Sequence, residues 1–558
     1  MRSLHGEALG LWRDRAWEGL RLSTALASRI RCVHRNSQDG SEGQGQMGTG
    51  FRLGRIAVLC GAALVTLAVS FPHAALAQSA TTDGSTTTDS RITAIEQQIQ
   101  ALQQELSRVK ADLSAKDEQL RQSQEQTKQV QAQVEAVQKE KPLVTFPNGR
   151  PTISSQDGQY SLAIGAQVQF DVGGYFQNSS SNNAQPAGAQ DLNNGENLRR
   201  GRLYFVAKMG DFTLNVTPDW GGSPDGSPTL YEANLNYTGF KPVTATIGYF
   251  KPWLTLQDSM SSNDFLFLER PSIVEIARNV AAGDARASVG AKASGDDYFA
   301  ALYLTGGTYG SQNPNLLNDE QTGGTVRVAT RPFRGDDWNV HIGASGSMAF
   351  HLNENDANAG SNQTIQLRDR PELRIDQNRL IDTGVIPANG ADTYGIELAA
   401  NWKNFLVQAE YIRIDVDQDQ VTGPSPTLHF QGGYIEGSWV MTGESRPYNT
   451  SAAAYGRPSP DQPFSLETGG WGAWELAARY SIADLDSHAN HGTSQTVSGG
   501  VFGGQQQVYS ISLSWYPINP VRFQLQFSYV DVDRLNSAGT TNIGQDFEDI
   551  ALRTQIAF

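Results

Sequence analysis

The chain has 558 residues, enough for several ordinary domains or one large one, with 43 basic and 58 acidic residues and a formal charge of −15. That balance argues against a general nucleic-acid binder, which shows a basic face. Glycine, at 56 residues, exceeds the usual ~7 % and points to many turns.

Residues 1–46 are neither periodic nor globular in composition, and they read as an upstream, disordered extension. At Met47 the pattern changes. A short basic stretch with Arg52 and Arg55 leads into "IAVLCGAALVTLAVSF", an apolar run of 16 residues. Ala75-Leu76-Ala77 then fits the small-residue cleavage pattern of a secretory signal. The run is shorter than the ~20 residues of a membrane helix, so the reading is a signal peptide over 47–77 with Gln78 as the mature start. Its removal with the extension would take nine of the basic and five of the acidic residues, leaving a charge of −19. It would also take Cys32 and Cys60, the two cysteines, which excludes disulfides, iron–sulfur clusters and cysteine catalysis from the mature chain.

Residues 78–90 form a polar linker. Over 91–141, spacings of three and four alternate through Ile92, Ile95, Ile99, Leu102, Leu106, Val109, Leu113, Lys116, Leu120, Ser123, Thr127, Val130, Val134 and Val137, eleven of these fourteen being apolar. This predicts an α-helical coiled coil, and Ile and Val at both core positions lean towards three strands. The alternative is a solitary helix folded back on the body. Pro142 ends the segment.

From 142 to 558 the period falls to two. "VRFQLQFSYV" sets Val521, Phe523, Leu525, Phe527 and Tyr529 against Arg522, Gln524, Gln526 and Ser528. "VYSISLSWY", "WELAARYS" and "AQVQFDV" alternate in the same way. Such strands suit a soluble sandwich, with the apolar face between two sheets, or a membrane barrel, with that face on lipid and a wet polar lumen. Export, long polar inward residues, aromatics near strand ends, and short turns alternating with long loops such as 352–392 favour the barrel. The length predicts about 16 antiparallel strands and an aqueous channel. "LRTQIAF" is the closing strand, ending on Phe558.

Catalytic motifs are absent: there is no P-loop, no H-E-x-x-H and no G-x-S-x-G. "GQGQMG" at 43–48 follows no strand and is a coincidence. His488 and His491 are close in a loop-like stretch, where a solvated loop is the default over a metal site. No enzyme, cofactor or metal is expected. The charges of interest belong to a lumen. Arg199, Arg200 and Arg202 start a strand, with Arg200 and Arg202 on the face opposite Leu203 and Phe205, pointing into the pore. Between the strand "VTATIGYFK" and one starting near Arg286 lies a partly apolar connection. An apolar loop is out of place on a cell surface; folded into the barrel, it would narrow the channel and set Glu269, Arg270 and Arg278 at the constriction, the alternative being an ordinary extracellular loop with solvated charges.

Several stretches, "RRGRLYF", "GYFKPWLTLQDSMSSNDFLFLERPSI", "VMTGESRPY", "GAWELAARYS", "YSISLSWYPINPVRFQLQFSYVDVD" and "ALRTQIAF", together resemble the phosphate-selective porins of the O and P type from Gram-negative outer membranes. The resemblance implies a homotrimeric, 16-stranded diffusion channel, with lumen arginines and lysines that attract phosphate-like anions. It implies anion-site roles for Arg199 and Arg200, constriction roles for Lys251, Glu269 and Arg270, and an assembly signal in Phe558 read by the barrel-assembly machinery. The coiled coil would lie in the periplasm. The first strand, "GAQVQFD", lacks a basic residue, and with the acidic net charge this leaves phosphate selectivity open. The alternative function is an envelope tether whose coiled coil binds the cell wall or a periplasmic partner.

Overall fold

In a computed structural model the described residues are 87–177, 190–222, 227–310, 319–354, 363–420 and 423–558. The predicted extension, leader and linker up to residue 86 lie outside them. The chain divides into two compact units between Ser107 and Arg108, within a long helix. That helix, α1, runs from Thr87 to Glu140, starting four residues ahead of the predicted segment. Between Ile92 and Lys141 there is no glycine or proline, and most positions carry Ala, Leu, Gln, Glu, Lys or Arg, the better helix formers. The large apolar seam residues from Ile92 to Val134 are 49–63 % exposed in the single chain.

Sixteen antiparallel strands close on themselves. They are β1 (Tyr160–Phe176), β2 (Gly195–Met209), β3 (Phe212–Asp219), β4 (Thr229–Tyr237), β5 (Val243–Phe250), β6 (Arg286–Ser294), β7 (Tyr298–Thr308) and β8 (Thr322–Arg334). Then come β9 (Trp338–His351), β10 (Ile386–Trp402), β11 (Phe405–Gln418), β12 (Leu428–Val440), β13 (Ala473–Ser487), β14 (Val501–Ile518), β15 (Val521–Asp533) and β16 (Asp546–Ala557). β16 pairs with β1 from Ala557–Gln167 to Glu548–Phe176. Phe558 and Ala166 exchange both backbone hydrogen bonds at 3.0 Å, so the last residue seals the seam. Closure leaves no unpaired edge, the condition for a sheet in lipid.

Alternation decides which face meets lipid. Leu525, Phe527, Ile550 and Leu552 are exposed outward, while Arg522, Gln524, Arg553 and Gln555 are buried inside. At one rim the outward aromatics make a belt: Trp402, Phe405 and Trp439 stack in sequence, as do Trp474, Trp515 and Phe523. Tyr480, Tyr509 and Tyr529 adjoin one another nearer the other rim. Two such girdles mark the membrane interfaces.

The Trp rim carries turns of two to five residues, with one exception, and the opposite rim carries the long connections. The exception joins β12 to β13 over 441–472, and it turns into the lumen. A short hairpin (Leu143–Thr145 and Thr152–Ser154) extends β1 at this rim.

Candidate functional site

The connection from β5 to β6, residues 251–285, folds into the barrel. Its first helix, α2 (Leu256–Ser259), starts against β11: the backbone N–H groups of Leu256 and Gln257 donate to the Glu410 carboxylate at 3.0 and 2.6 Å. The Thr255 hydroxyl accepts from Asp258 N–H as its cap. The following stretch, 262–269, forms neither helix nor strand, only turns and bends, and needs partners for its peptide groups. Lumen side chains supply them. Gln524 and Arg522 each donate at 2.7 Å, to the carbonyls of Leu266 and Phe265 respectively. Gln555 and Gln169 do the same for Asn263 and Ser262, Arg553 for Leu268, and Arg479 for Glu269. The inward Gln and Arg residues of β1, β15 and β16 thus bind a peptide segment. The sequence reading, which set them on a wet lumen, is corrected on this point.

Glu269 ends that stretch inside a cage of guanidinium groups. Arg199 binds it in bidentate fashion at 2.7 and 2.9 Å, and Arg553 reaches it at 2.9 Å. Arg200 and Arg374 lie at 3.5 and 3.6 Å. A bulge in β2 makes the double approach possible: Arg200 pairs with Gln169 and Leu198 with Phe170, leaving Arg199 as the extra residue. Burial pushes the Glu269 carboxyl up, but these four cations outweigh it and hold it well below the usual carboxylate range.

The second helix, α3 (Ser272–Ala281), buries Ile273, Val274, Ile276, Ala277 and Val280. They pack with Leu367, Leu373, Leu380 and Ile381 of the β9–β10 connection and with inward Ile412, Ile414 and Phe430. This part of the interior is therefore an apolar core; the 352–392 stretch, read from sequence as a long polar loop, contributes Leu367, Leu373, Leu380 and Ile381 to it, and its end, from Ile386, belongs to β10. Arg278 pairs with Asp258 at 2.7 Å, Asp284 at 2.6 Å and Glu275 at 3.2 Å. Arg270 lies 3.6 Å from Asp258 and 3.7 Å from Glu275.

From the Trp rim, segment 441–472 meets the infolded connection. Arg446 is bidentate to Glu475 at 2.6 and 2.8 Å and donates to Asp264 O at 2.8 Å. Arg327, paired with Glu397 at 3.0 Å, donates to the carbonyls of Ala452 and Ala453 at 2.7 and 2.8 Å. Tyr455 Oη donates to Asn339 at 2.5 Å.

What remains open at this end is a cavity of ≈ 1200 Å³, bounded by β2–β6, the infolded connection and the 449–457 stretch. Five cations line it, Arg150, Arg202, Lys251, Lys292 and Arg457, against two acids, Glu232 and Asp264. Of the six basic residues singled out from sequence, Arg202 and Lys251 reach this cavity. Arg202 pairs with Asp219 at 2.7 Å and lies 3.5 Å from the Tyr231 ring centroid. Lys251 is 3.9 Å from Asp258. Arg199, Arg200, Arg270 and Arg278 lie together with Glu269 in the acid-paired network above. Sequence reasoning missed Arg150, Lys292 and Arg457, which have no carboxylate within 4.0 Å among the described residues. Lys292 donates to Ser451 O at 2.7 Å and lies 4.5 Å from the Trp253 ring centroid. The alternation Arg286, Ser288, Gly290, Lys292 could have shown Lys292 facing inward; no periodicity marks Arg150 or Arg457.

His488 and His491 belong to the long-rim connection after β13. Among the described residues, the group with metal-ligand spacing is instead Asp319, His351 and Glu354.

The family model described as phosphate-selective porin O and P matches residues 166–558. An uncharacterized protein of Caulobacter vibrioides is 27 % identical over 402 residues, 69 % of this chain and 71 % of that protein. Porin O of Pseudomonas aeruginosa is 22 % identical over 426 residues, 73 % of this chain and 90 % of its own length. Among solved structures, an anion-selective porin from Comamonas acidovorans gives a TM-score of 0.42 at 10 % identity, covering 72 % of this chain and 100 % of that one. The chain belongs to the phosphate-selective porin O and P family and is an outer-membrane porin of a Gram-negative bacterium.

Proposed function

We propose that the channel passes small hydrophilic solutes by passive diffusion and prefers anions, phosphate-like ones included, with no catalytic step. The observation that carries this is the charge of the cavity. Five cations face two acids there, in a chain whose net charge is −15. Arg150, Lys292 and Arg457 supply the preference, because the other cations have part of their field cancelled by paired carboxylates. An anion exchanges some of its water for these groups and leaves again because each contact is weak. Arg199, Arg200, Arg270 and Arg278 act by fixing the infolded connection, with Glu269 as the constriction acid that holds it.

The assembly is a homotrimer, with the exposed seam of α1 pairing with its copies in the periplasm; Phe558 is the residue read by the assembly machinery. Reversal potentials in planar bilayers across a potassium chloride gradient test the anion preference. An anion-selective reversal, with current reduced by added phosphate, is expected. Cation selectivity without phosphate block overturns it. A second reading, favoured by the exposed seam, makes α1 a tether to the cell wall or a periplasmic partner. Deleting 91–141 separates the two: loss of trimer supports the first, and intact trimers in a weakened envelope support the tether.

A further inference from the structure

The wall of the ≈ 1200 Å³ cavity between Arg202 on β2 and Lys292 on β6 is built from neutral amides and hydroxyls, with Thr244 directly across the sheet from Lys292. Thr213 and Asn215 come from β3, Asn234 and Asn236 from β4, and Thr244 and Thr246 from β5. Asn215 pairs across the sheet with Asn234, and Asn236 with Thr246. Their side chains are wired together. Asn234 Oδ1 accepts from Asn215 at 3.1 Å and from Asn236 at 2.7 Å, and Asn236 Oδ1 accepts from the Thr246 hydroxyl at 2.7 Å. Glu232 closes the chain, accepting from Thr217 at 2.9 Å and from Asn234 at 3.3 Å.

These bonds fix the amides without exhausting them. Each amide has two N–H donors and an acceptor oxygen. Asn215 therefore keeps one N–H and its carbonyl oxygen, whereas Asn236, whose second N–H donates to Thr213 O at 3.5 Å, keeps acceptor capacity on Oδ1. Such a mixed donor and acceptor wall matches hydroxyl groups, which both donate and accept. It matches a small inorganic oxyanion less well, since that offers mainly acceptors and at most one or two P–OH donors. Glu232 on this wall repels an oxyanion but accepts from a hydroxyl. Size points the same way: a cavity of ≈ 1200 Å³ is far larger than a small inorganic oxyanion needs.

We propose that this cavity selects organic anions bearing several hydroxyls, the sugar-phosphate class, with the charged end at Lys292, Arg150 and Arg457 and the hydroxyls on the amide wall. The inference rests on the anion preference proposed above. The test compares block of potassium chloride current by glucose 6-phosphate, inorganic phosphate and glucose in planar bilayers. Glucose 6-phosphate should half-block at a concentration about tenfold below inorganic phosphate, the worth of one or two net hydrogen bonds, and glucose should not block. Asn236→Leu and the near-isosteric Thr244→Val should each narrow that ratio without moving the reversal potential. Thr244→Val carries the test if Asn236→Leu fails to assemble. Equal block by both phosphates in an anion-selective channel overturns this proposal and leaves the anion preference standing. A cation-selective reversal overturns the preference itself. A ratio unchanged in both variants overturns the role given to the wall.

Discussion

Glu269→Gln removes one charge and almost no volume from the centre of the lumen. Four guanidinium groups, at 2.7, 2.9, 3.5 and 3.6 Å, then lose their shared counter-ion. Breaking a buried ion pair on one side costs roughly 3–5 kcal/mol, because the stranded charges stay buried. The stretch is still held by other bonds: four carbonyls accept from arginines and three from glutamines. At roughly 1.5–3 kcal/mol for a charged donor and 0.5–1.5 for a neutral one, these exceed the loss. The substitution should therefore leave the barrel folded and the stretch in place while raising its local opening roughly 10²- to 10⁴-fold. Hydrogen exchange of the backbone amides at 262–269 reads this directly. Unchanged exchange there, or an equal rise in the barrel strands, would refute the clamp. The sign with pH follows from the depressed carboxyl: the clamp's stabilisation is complete above the ordinary carboxylate pKa, declines below it and is gone once pH has fallen through the lower folded-state value. Exchange at 262–269 in the unsubstituted protein should therefore show no clamp loss from neutral pH down to about pH 5.5, and only the start of one at about pH 4.

Arg327→Ala releases the carbonyls of Ala452 and Ala453 and strands Glu397, so single-channel conductance and its noise should both rise; unchanged traces would show that segment 441–472 is held elsewhere. Burial pushes the Lys251 ammonium down to about 8 against the pull of Asp258, so it is charged below that pH and neutral above. Anion preference should fall between pH 7 and 9, and Lys251→Gln should flatten this step in reversal-potential titrations. Deleting Phe558 removes its backbone pair with Ala166; trimer recovered from membranes should drop while synthesis and export continue, and a normal yield would contradict the assembly role.

Much of the barrel was legible because lipid and lumen impose opposite demands on neighbouring residues. Leu525 and Gln526, or Leu552 and Arg553, report their faces by chemistry alone. The infolded connection was legible too, since Phe265, Phe267 and Ile273 have no reason to face water. Legibility stopped where the lumen ceased to be wet. Ile412, Ile414 and Phe430 point inward while Arg413, Asp415, His429 and Gln431 between and beside them point outward, the reverse of the lipid-and-lumen pattern, and nothing in their own strands announces the α3 core they meet. Segment 441–472 was missed because its contacts are long-range and its partners, Arg327 and Asn339, lie more than a hundred residues away. The arginines at the start of β2 and in the infolded connection drew notice, yet a cation's field depends on whether a carboxylate reaches it, and pairing is a tertiary fact. Lys292 shows the converse: one lysine in a strand of small residues, conspicuous only once the cavity is seen.

The central claim is that unpaired cations set ion preference and acid-paired ones hold the constriction. A charge about 6 Å from a permeant ion in a wet cavity contributes roughly 0.4 kcal/mol at 0.1 M salt, and with opposite signs on anion and cation this shifts their ratio roughly fourfold. The most direct measurement is the reversal potential of Lys292→Gln, Arg150→Gln and Arg457→Gln, singly and combined. Each single variant should lower the anion-to-cation permeability ratio by about that factor, with the combined variant near or past neutrality. A combined variant as anion-selective as the unsubstituted channel would contradict the account.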